Sequence, residues 1–203
     1  KVYDAATSAV LKGTATITGV FAGDTVNITS GSVTGAFASA NVGNGIAINA
    51  NTSALTISNS NYFVNGLTTA LTANITPAVI TVSAAKTYDG SQTLTANQMT
   101  VTGVAGQVLS FAAGGSATLT SPNVGSASLM GLNNPVLVDG TGLATNYTID
   151  NPIFGSVTIT PAAITVSASP ATKVYDRTTS VASAVSAPTL VLRSGTLFMN
   201  QGT

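Results

Sequence analysis

A four-residue box occurs three times in this 203-residue chain: Lys1-Val2-Tyr3-Asp4, Lys86-Thr87-Tyr88-Asp89 and Lys173-Val174-Tyr175-Asp176. Successive box lysines are 85 and 87 residues apart, far more than one solenoid coil and the length of one small domain. Further landmarks recur in phase. Asn41-Val42-Gly43 returns as Asn123-Val124-Gly125, Asn61-Tyr62 as Asn146-Tyr147, and Ile75-Thr76-Pro77-Ala78 as Ile159-Thr160-Pro161-Ala162. Ile80-Thr81-Val82-Ser83-Ala84 returns as Ile164-Thr165-Val166-Ser167-Ala168. Repetition in one order constrains the chain to a tandem array of one module: residues 1–76, residues 77–160 and a partial third unit, 161–203.

The segments between the landmarks alternate apolar and polar residues at period two. Gly or a β-branched residue interrupts every helical window. Strands are expected over residues 14–20, 25–29, 45–49, 54–58, 61–64 and 71–76 of the first unit. The second unit offers 99–104, 107–111, 117–120, 126–130, 135–138 and 147–160. Asn44-Gly45 and Asn65-Gly66 read as hairpin turns, and Asp89-Gly90 as a bend. Pro77, which has no amide to donate to a ladder, suits a junction, with Ile80, Val82 and Ala84 on one face of the strand that follows. The fold class is therefore all-β: small Ig-like sandwiches or β-grasp-like sheet stacks in an elongated array. A β-helix is the alternative, and the repeat length stands against it.

Phase matters at the ends. Measured from Pro77, residues 78–84 open the second unit; the first unit has no such strand, and the third keeps it but not the later landmarks. An excerpt of a longer chain is expected, or a neighbouring copy that supplies the strand end to end in an open, head-to-tail contact. The link from Ala168 to Lys173 is three residues longer than that from Ala84 to Lys86 and contains Pro170, so a bulge or kink is expected there.

Charge is scarce. Six Lys and Arg balance six acidic residues, all of them Asp, and there is no His, Cys or Trp. Three of the lysines and three of the aspartates lie in the boxes, so no basic stripe remains for nucleic acid. Ser, Thr, Asn or Gly interrupts every apolar stretch, and membrane insertion is not expected. Without His, Cys or Glu, the ordinary base, nucleophile pair and metal set are missing, and neither an enzyme nor a cofactor is expected. Asp139-Gly140-Thr141-Gly142 lacks the alternating acidic ligands of a calcium loop and reads as a turn.

Taken together, Lys-x-Tyr-Asp, Asn-Val-Gly, Asn-Tyr and Ile-Thr-Pro resemble the signature of YDG-type and MBG-type repeats. Such repeats belong to large bacterial surface and two-partner-secreted exoproteins like the filamentous haemagglutinins. The resemblance covers residues 1 to about 180, and its specificity lies in order and spacing. It implies an extracellular or cell-surface location and a stalk or fibre segment of an adhesin or filament. The implied partners are further repeats of the same kind, end to end. A glycan-binding module, using exposed Tyr and Asn on host or matrix glycans, is the competing class. Gly follows the box aspartate only at Gly90; Ala5 and Arg177 stand there in the other copies, and the reading does not extend a positive-φ turn to them.

The boxes (Lys1, Tyr3, Asp4; Lys86, Tyr88, Asp89; Lys173, Tyr175, Asp176) are read as structural. A Lys–Asp pair and a partly buried tyrosine hydrogen-bonded at its hydroxyl would anchor a strand. The functional counterpart is a sugar-stacking or cation-binding spot. Tyr3 and Tyr88 are expected in equivalent surroundings. Lys86 with Asn146, and Lys1 with Asn61, also offer the residue types of a Lys–Asn isopeptide crosslink; the plain alternative is turn-forming asparagines and solvated lysines.

Overall fold

Residues at i and i+2 fall on the same side of a strand, so an apolar alternation buries one face of a sheet. That rule organises the computed structural model, which describes residues 1–150, 155–165, 174, 175 and 177. Residues 1–76 form β1 (Ser8–Ala9), β2 (Ile28–Ser30), β3 (Thr34–Phe37), β4 (Gly43–Asn51), β5 (Thr56–Ile57) and β6 (Leu71–Ile75). From Pro77 onward come β7 (Ala78–Val79), β8 (Thr81–Thr87), β9 (Thr93–Thr95), β10 (Met99–Thr102) and β11 (Val108–Phe111). They are followed by β12 (Ser116–Leu119), β13 (Gly125–Asn133), β14 (Leu137–Val138), β15 (Tyr147–Thr148) and β16 (Gly155–Thr160). Helix is confined, among the described residues, to three single 3-10 turns at Ala96–Gln98, Val104–Gly106 and Ala144–Asn146. The chain is all-β.

The second unit builds one eight-stranded sheet in the order β14-β11-β10-β8-β16-β13-β12-β9. Its neighbours are antiparallel except at the centre, where β8 and β16 run parallel with Ser83 opposite Ser156 and Thr87 opposite Thr160. A small parallel pair joins β7 to β15. The first unit repeats half of this plan. Its four-stranded sheet has the order β1-β3-β4-β6, matching β9-β12-β13-β16 strand for strand, and β4 and β13 are both nine residues long. A separate antiparallel pair, β2 with β5, answers β11 with β14.

In the second unit β8 bridges β16 to β10. Beside β6 the box itself takes the corresponding place: Val2 bridges Thr76 in parallel, and the Tyr3 amide donates to the Thr76 carbonyl at 2.8 Å. The same bond recurs from Tyr88 to Thr160, also at 2.8 Å. Residues 15–18, the counterparts of β10, form no strand, although alternation predicts one. Residues 61–64 form none either.

Asn44-Gly45 is not a hairpin turn but a bulge inside β4. Gly43 lies opposite Ile75 and Ile46 opposite Ala73, leaving one extra residue on β4. Gly45 takes φ 62°, and its amide donates to Asn74 Oδ1 at 2.8 Å. No strand flanks Asn65-Gly66.

The core follows the alternation. Ile80 and Val82, Leu109 and Phe111, Ala117 and Leu119, Ala127 and Leu129, and Val157 and Ile159 are all buried. Burying each large apolar side chain contributes about 1.5–3 kcal/mol. Of the buried apolar residues described, only Tyr3, Phe37 and Ile75 come from the first unit, yet they belong to one continuous cluster with those of the second. The kink expected at Pro170 lies outside the described residues.

Candidate functional site

Each box closes a turn. Asp4 Oδ1 accepts from Lys1 Nζ at 2.6 Å and from the Ala6 amide at 2.9 Å. Asp89 Oδ1 accepts from Lys86 Nζ at 2.6 Å and from the Ser91 amide at 2.9 Å. The ammonium then donates to carbonyls across the turn: Lys1 to Ala6 at 2.7 Å, Lys86 to Ser91 at 3.0 Å and to Thr93 at 3.2 Å. An aspartate that bonds the amide two residues on needs the intervening residue bent. Gly90 takes φ 74°, and Ala5 and Arg177 take φ 63° and 64°, so the left-handed turn is shared by all three copies despite the missing glycines. This corrects the sequence reading: the turn's own hydrogen bonds in the first two boxes hold the conformation that glycine would adopt freely.

The two pairs differ in depth. The Lys86 side chain is 1% exposed and that of Lys1 22%. Hydrogen bonds from Lys1 and Ala6 hold the Asp4 carboxyl below the usual carboxylate range. Burial pushes Asp89 up, but the Lys86 ammonium and the Ser91 amide outweigh it and the net direction is down. In the third box, Lys173 and Asp176 lie outside the described residues, and Tyr175 is 85% exposed.

Box tyrosines face away from this turn. Tyr3 reaches into the second unit, where its ring meets Tyr147 edge-on with centroids 5.4 Å apart. Both hydroxyls donate to one acceptor, Gln107 Oε1, at 3.1 Å from Tyr3 and 2.6 Å from Tyr147. Beside them Asn146, 1% exposed, accepts from the Val42 amide at 2.9 Å and donates to Asn41 Oδ1 at 3.0 Å. Burial raises the Tyr147 hydroxyl above its usual value, and neighbouring Tyr3 adds to the rise. There is no slack. A Cβ on Gly103 would lie 2.3 Å from Tyr147 Oη, and one on Gly142 would lie 2.6 Å from Gln107 Oε1.

Box tyrosine, Asn-Val and Asn-Tyr thus converge, across about 105 residues of sequence, on one joint between consecutive units. Compared with family signatures, the YDG domain matches residues 1–70 and again residues 69–153. The chain belongs to the YDG domain family. No curated protein and no solved structure matches it.

In this YDG chain the joint has a receiving half that the sequence reading missed. Thr102-Gly103-Val104-Ala105-Gly106-Gln107 surrounds Tyr147, and the first unit carries its counterpart in Thr18-Gly19-Val20, then Ala22-Gly23-Asp24 around Tyr62. Tyr62 Oη donates to Asp24 Oδ2 at 2.6 Å, as Tyr147 does to Gln107, and that bond raises the Tyr62 hydroxyl above its usual value. The Phe21 amide donates to Tyr62 Oη at 3.2 Å. Among the described residues, no second tyrosine meets Tyr62. Its ring neighbour is Phe21, tilted at 6.5 Å, and Phe21 and Phe63 are 78% and 82% exposed. The signal was the short Thr-Gly-Val and Ala-Gly repeat, one residue out of phase through the extra Phe21.

Tyr3 and Tyr88 therefore share a backbone bond but not their surroundings: Tyr3 is buried by Tyr147 of the following unit, whereas Tyr88 is half-buried. The proposed crosslink partners are placed apart in function. Lys86 is bound to Asp89, Ser91 and Thr93, while Asn146 is bound to Asn41 and Val42. Lys1 holds Asp4 and Ala6, and the Asn61 amide donates to Asn59 Oδ1 at 3.0 Å. Asp139 Oδ1 accepts from the Ala144 amide at 2.6 Å, closing the turn that carries Asn146 and Tyr147.

Proposed function

We propose that this YDG chain is a structural segment, a stalk or fibre of a bacterial extracellular adhesin or filament. The observation that carries this reading is the use of the family's landmark side chains. Tyr3, Asn41, Asn146 and Tyr147 bind one another across a joint between units, which is work that holds repeats together rather than work on a ligand. A buried aromatic contact with both hydroxyls satisfied resists bending of one unit on the next. Protease added to intact cells that produce the parent protein should remove this segment without lysis. A segment protected until lysis defeats the extracellular reading.

One observation favours the second reading, a glycan-binding surface. Phe21, Tyr62 and Phe63 lie near Asp24 and Asn61 around a shallow depression, and aromatic faces beside polar groups suit sugar rings. Glycan-array binding lost in Phe63→Ala would establish it. A silent array leaves the structural role.

A further inference from the structure

An asparagine followed by glycine carries a reaction within its own backbone. Glycine has no Cβ to shield its amide, so that nitrogen can reach the asparagine side-chain carbonyl carbon and close a five-membered ring. A fold controls the rate through the amide, since a nitrogen held in a hydrogen bond must be released before it attacks. This chain has two such bonds, Asn44-Gly45 and Asn65-Gly66, and their surroundings differ.

Asn44-Gly45 lies within β4. The Gly45 amide donates to Asn74 Oδ1 at 2.8 Å, and β6 holds the residues on either side, Gly43 opposite Ile75 and Ile46 opposite Ala73. Attack on Asn44 would break that bond and swing the nitrogen out of the sheet. Asn65-Gly66 lies outside every strand, and both residues are exposed. Gly66 takes φ 107°, and nothing beyond its chain neighbours lies within 4 Å of where a Cβ would stand. Among the described residues, neither the Gly66 amide nor the Asn65 side chain has a hydrogen-bond partner. The two Asp-Gly bonds of the chain could close the same ring, and both are restrained. Asp89 Oδ1 is held by the Lys86 ammonium and the Ser91 amide. Asp139 Oδ1 accepts from the Ala144 amide, and the Gly140 amide donates to the Gly142 carbonyl at 3.1 Å.

We propose that Asn65 is a site of self-modification, losing its side-chain nitrogen through a cyclic imide formed with Gly66. The Gly66 nitrogen gives its proton to solvent hydroxide and bonds Asn65 Cγ. The Cγ–Nδ2 bond then breaks, and Nδ2 leaves as ammonia with a proton taken from water. Water opens the ring in one of two ways. Cleavage between the nitrogen and Cγ gives aspartate and restores the peptide. Cleavage between the nitrogen and the main-chain carbonyl gives isoaspartate, whose backbone runs through the side chain and is one methylene longer. Either way one ammonia leaves and one water enters, and nothing is oxidised or reduced. The product places a carboxylate in an uncharged loop and takes the formal net charge from zero to minus one. The isoaspartyl form also lengthens the backbone of the loop that carries Tyr62, whose hydroxyl is held by Asp24 at 2.6 Å. The reaction is independent of either functional reading.

Peptide mapping of the full chain, aged in warm and mildly alkaline buffer, tests this. The peptide containing Asn65 should gain about 1 Da, or about 3 Da in water labelled with heavy oxygen. Electron-transfer fragmentation should find both aspartate and isoaspartate at position 65. Asn44 should react more slowly by about tenfold, because its glycine amide must first leave a hydrogen bond. In urea the two rates should converge, which assigns the difference to the fold rather than to the flanking residues. Asn65→Gln, which would need a six-membered ring, should keep its mass over the time in which the native chain changes. An Asn65 that persists in the folded chain while it reacts in urea overturns the proposal. So do equal rates at Asn44 and Asn65 in the folded chain, a difference that survives in urea, or an Asn65→Gln chain that gains mass as fast as the native one.

Discussion

At the aspartate of each box, one carboxylate oxygen accepts from an ammonium and from the amide two residues on. Both carboxyls are thereby held below their usual range. A carboxylate with a depressed folded pKa contributes stability above its unfolded value of about 3.9 and loses it as pH falls through the folded one. Acid unfolding should therefore begin below about pH 4, and Asp89→Asn should flatten that limb in a pH-dependent urea titration. Removing the partner matters more in the second box. Asp89→Ala leaves the Lys86 ammonium, 1% exposed, without its counter-charge and should cost about 1–3 kcal/mol. Asp4→Ala breaks a more exposed pair, worth less than about 1 kcal/mol. Ala5 gives the opposite test. Its φ of 63° is a conformation that costs a non-glycine residue about 1 kcal/mol, so Ala5→Gly should raise stability by up to that amount in a urea melt.

Strand length in this fold is set by partners as much as by sequence. Residues 15–18 and β10 carry the same alternation, but only β10 has β8 beside it, and only β10 is a strand. Around Tyr147, on the second unit's side of the joint, packing is close enough for glycine to be required. Gly103→Ala places a methyl 2.3 Å from Tyr147 Oη and should cost about 1–3 kcal/mol by overpacking, measured by tyrosine fluorescence during urea unfolding. Gly131→Ala, with open space at its Cβ, is the control and should be near neutral. The joint also has a base limit. Tyr147 is raised by burial and Tyr62 by its bond to Asp24. A raised hydroxyl contributes stability below the unfolded value of about 10 and loses it as pH rises through the folded one. Phenolate absorbance should accordingly appear late for these two rings.

Over the whole molecule, stability is uneven. Fifteen of the eighteen buried apolar residues described belong to residues 78–159. Local stability follows burial and ladder completeness. Hydrogen exchange should therefore show residues 8–57 exchanging well before residues 93–133, in separate cooperative phases. A single phase covering both would mean that the Tyr3–Tyr147 joint couples the units fully.

By itself the sequence determined the repeat, the all-β class, the inward faces of Ile80, Val82 and their counterparts, and the Lys–Asp pairing of the first two boxes. Each is a local matter of periodicity or of residues three apart. Tertiary structure alone decided what the landmarks are for. Tyr3 and Tyr147 lie 144 residues apart in sequence yet share Gln107, and no spacing within one unit announces a bond made to the next. It also decided that Ala5 adopts glycine's conformation, because the hydrogen bonds on either side of it outweigh its own preference. Finally, it left residues 15–18 without a ladder: a strand is a property of two chain segments, and alternation in one of them does not supply the other.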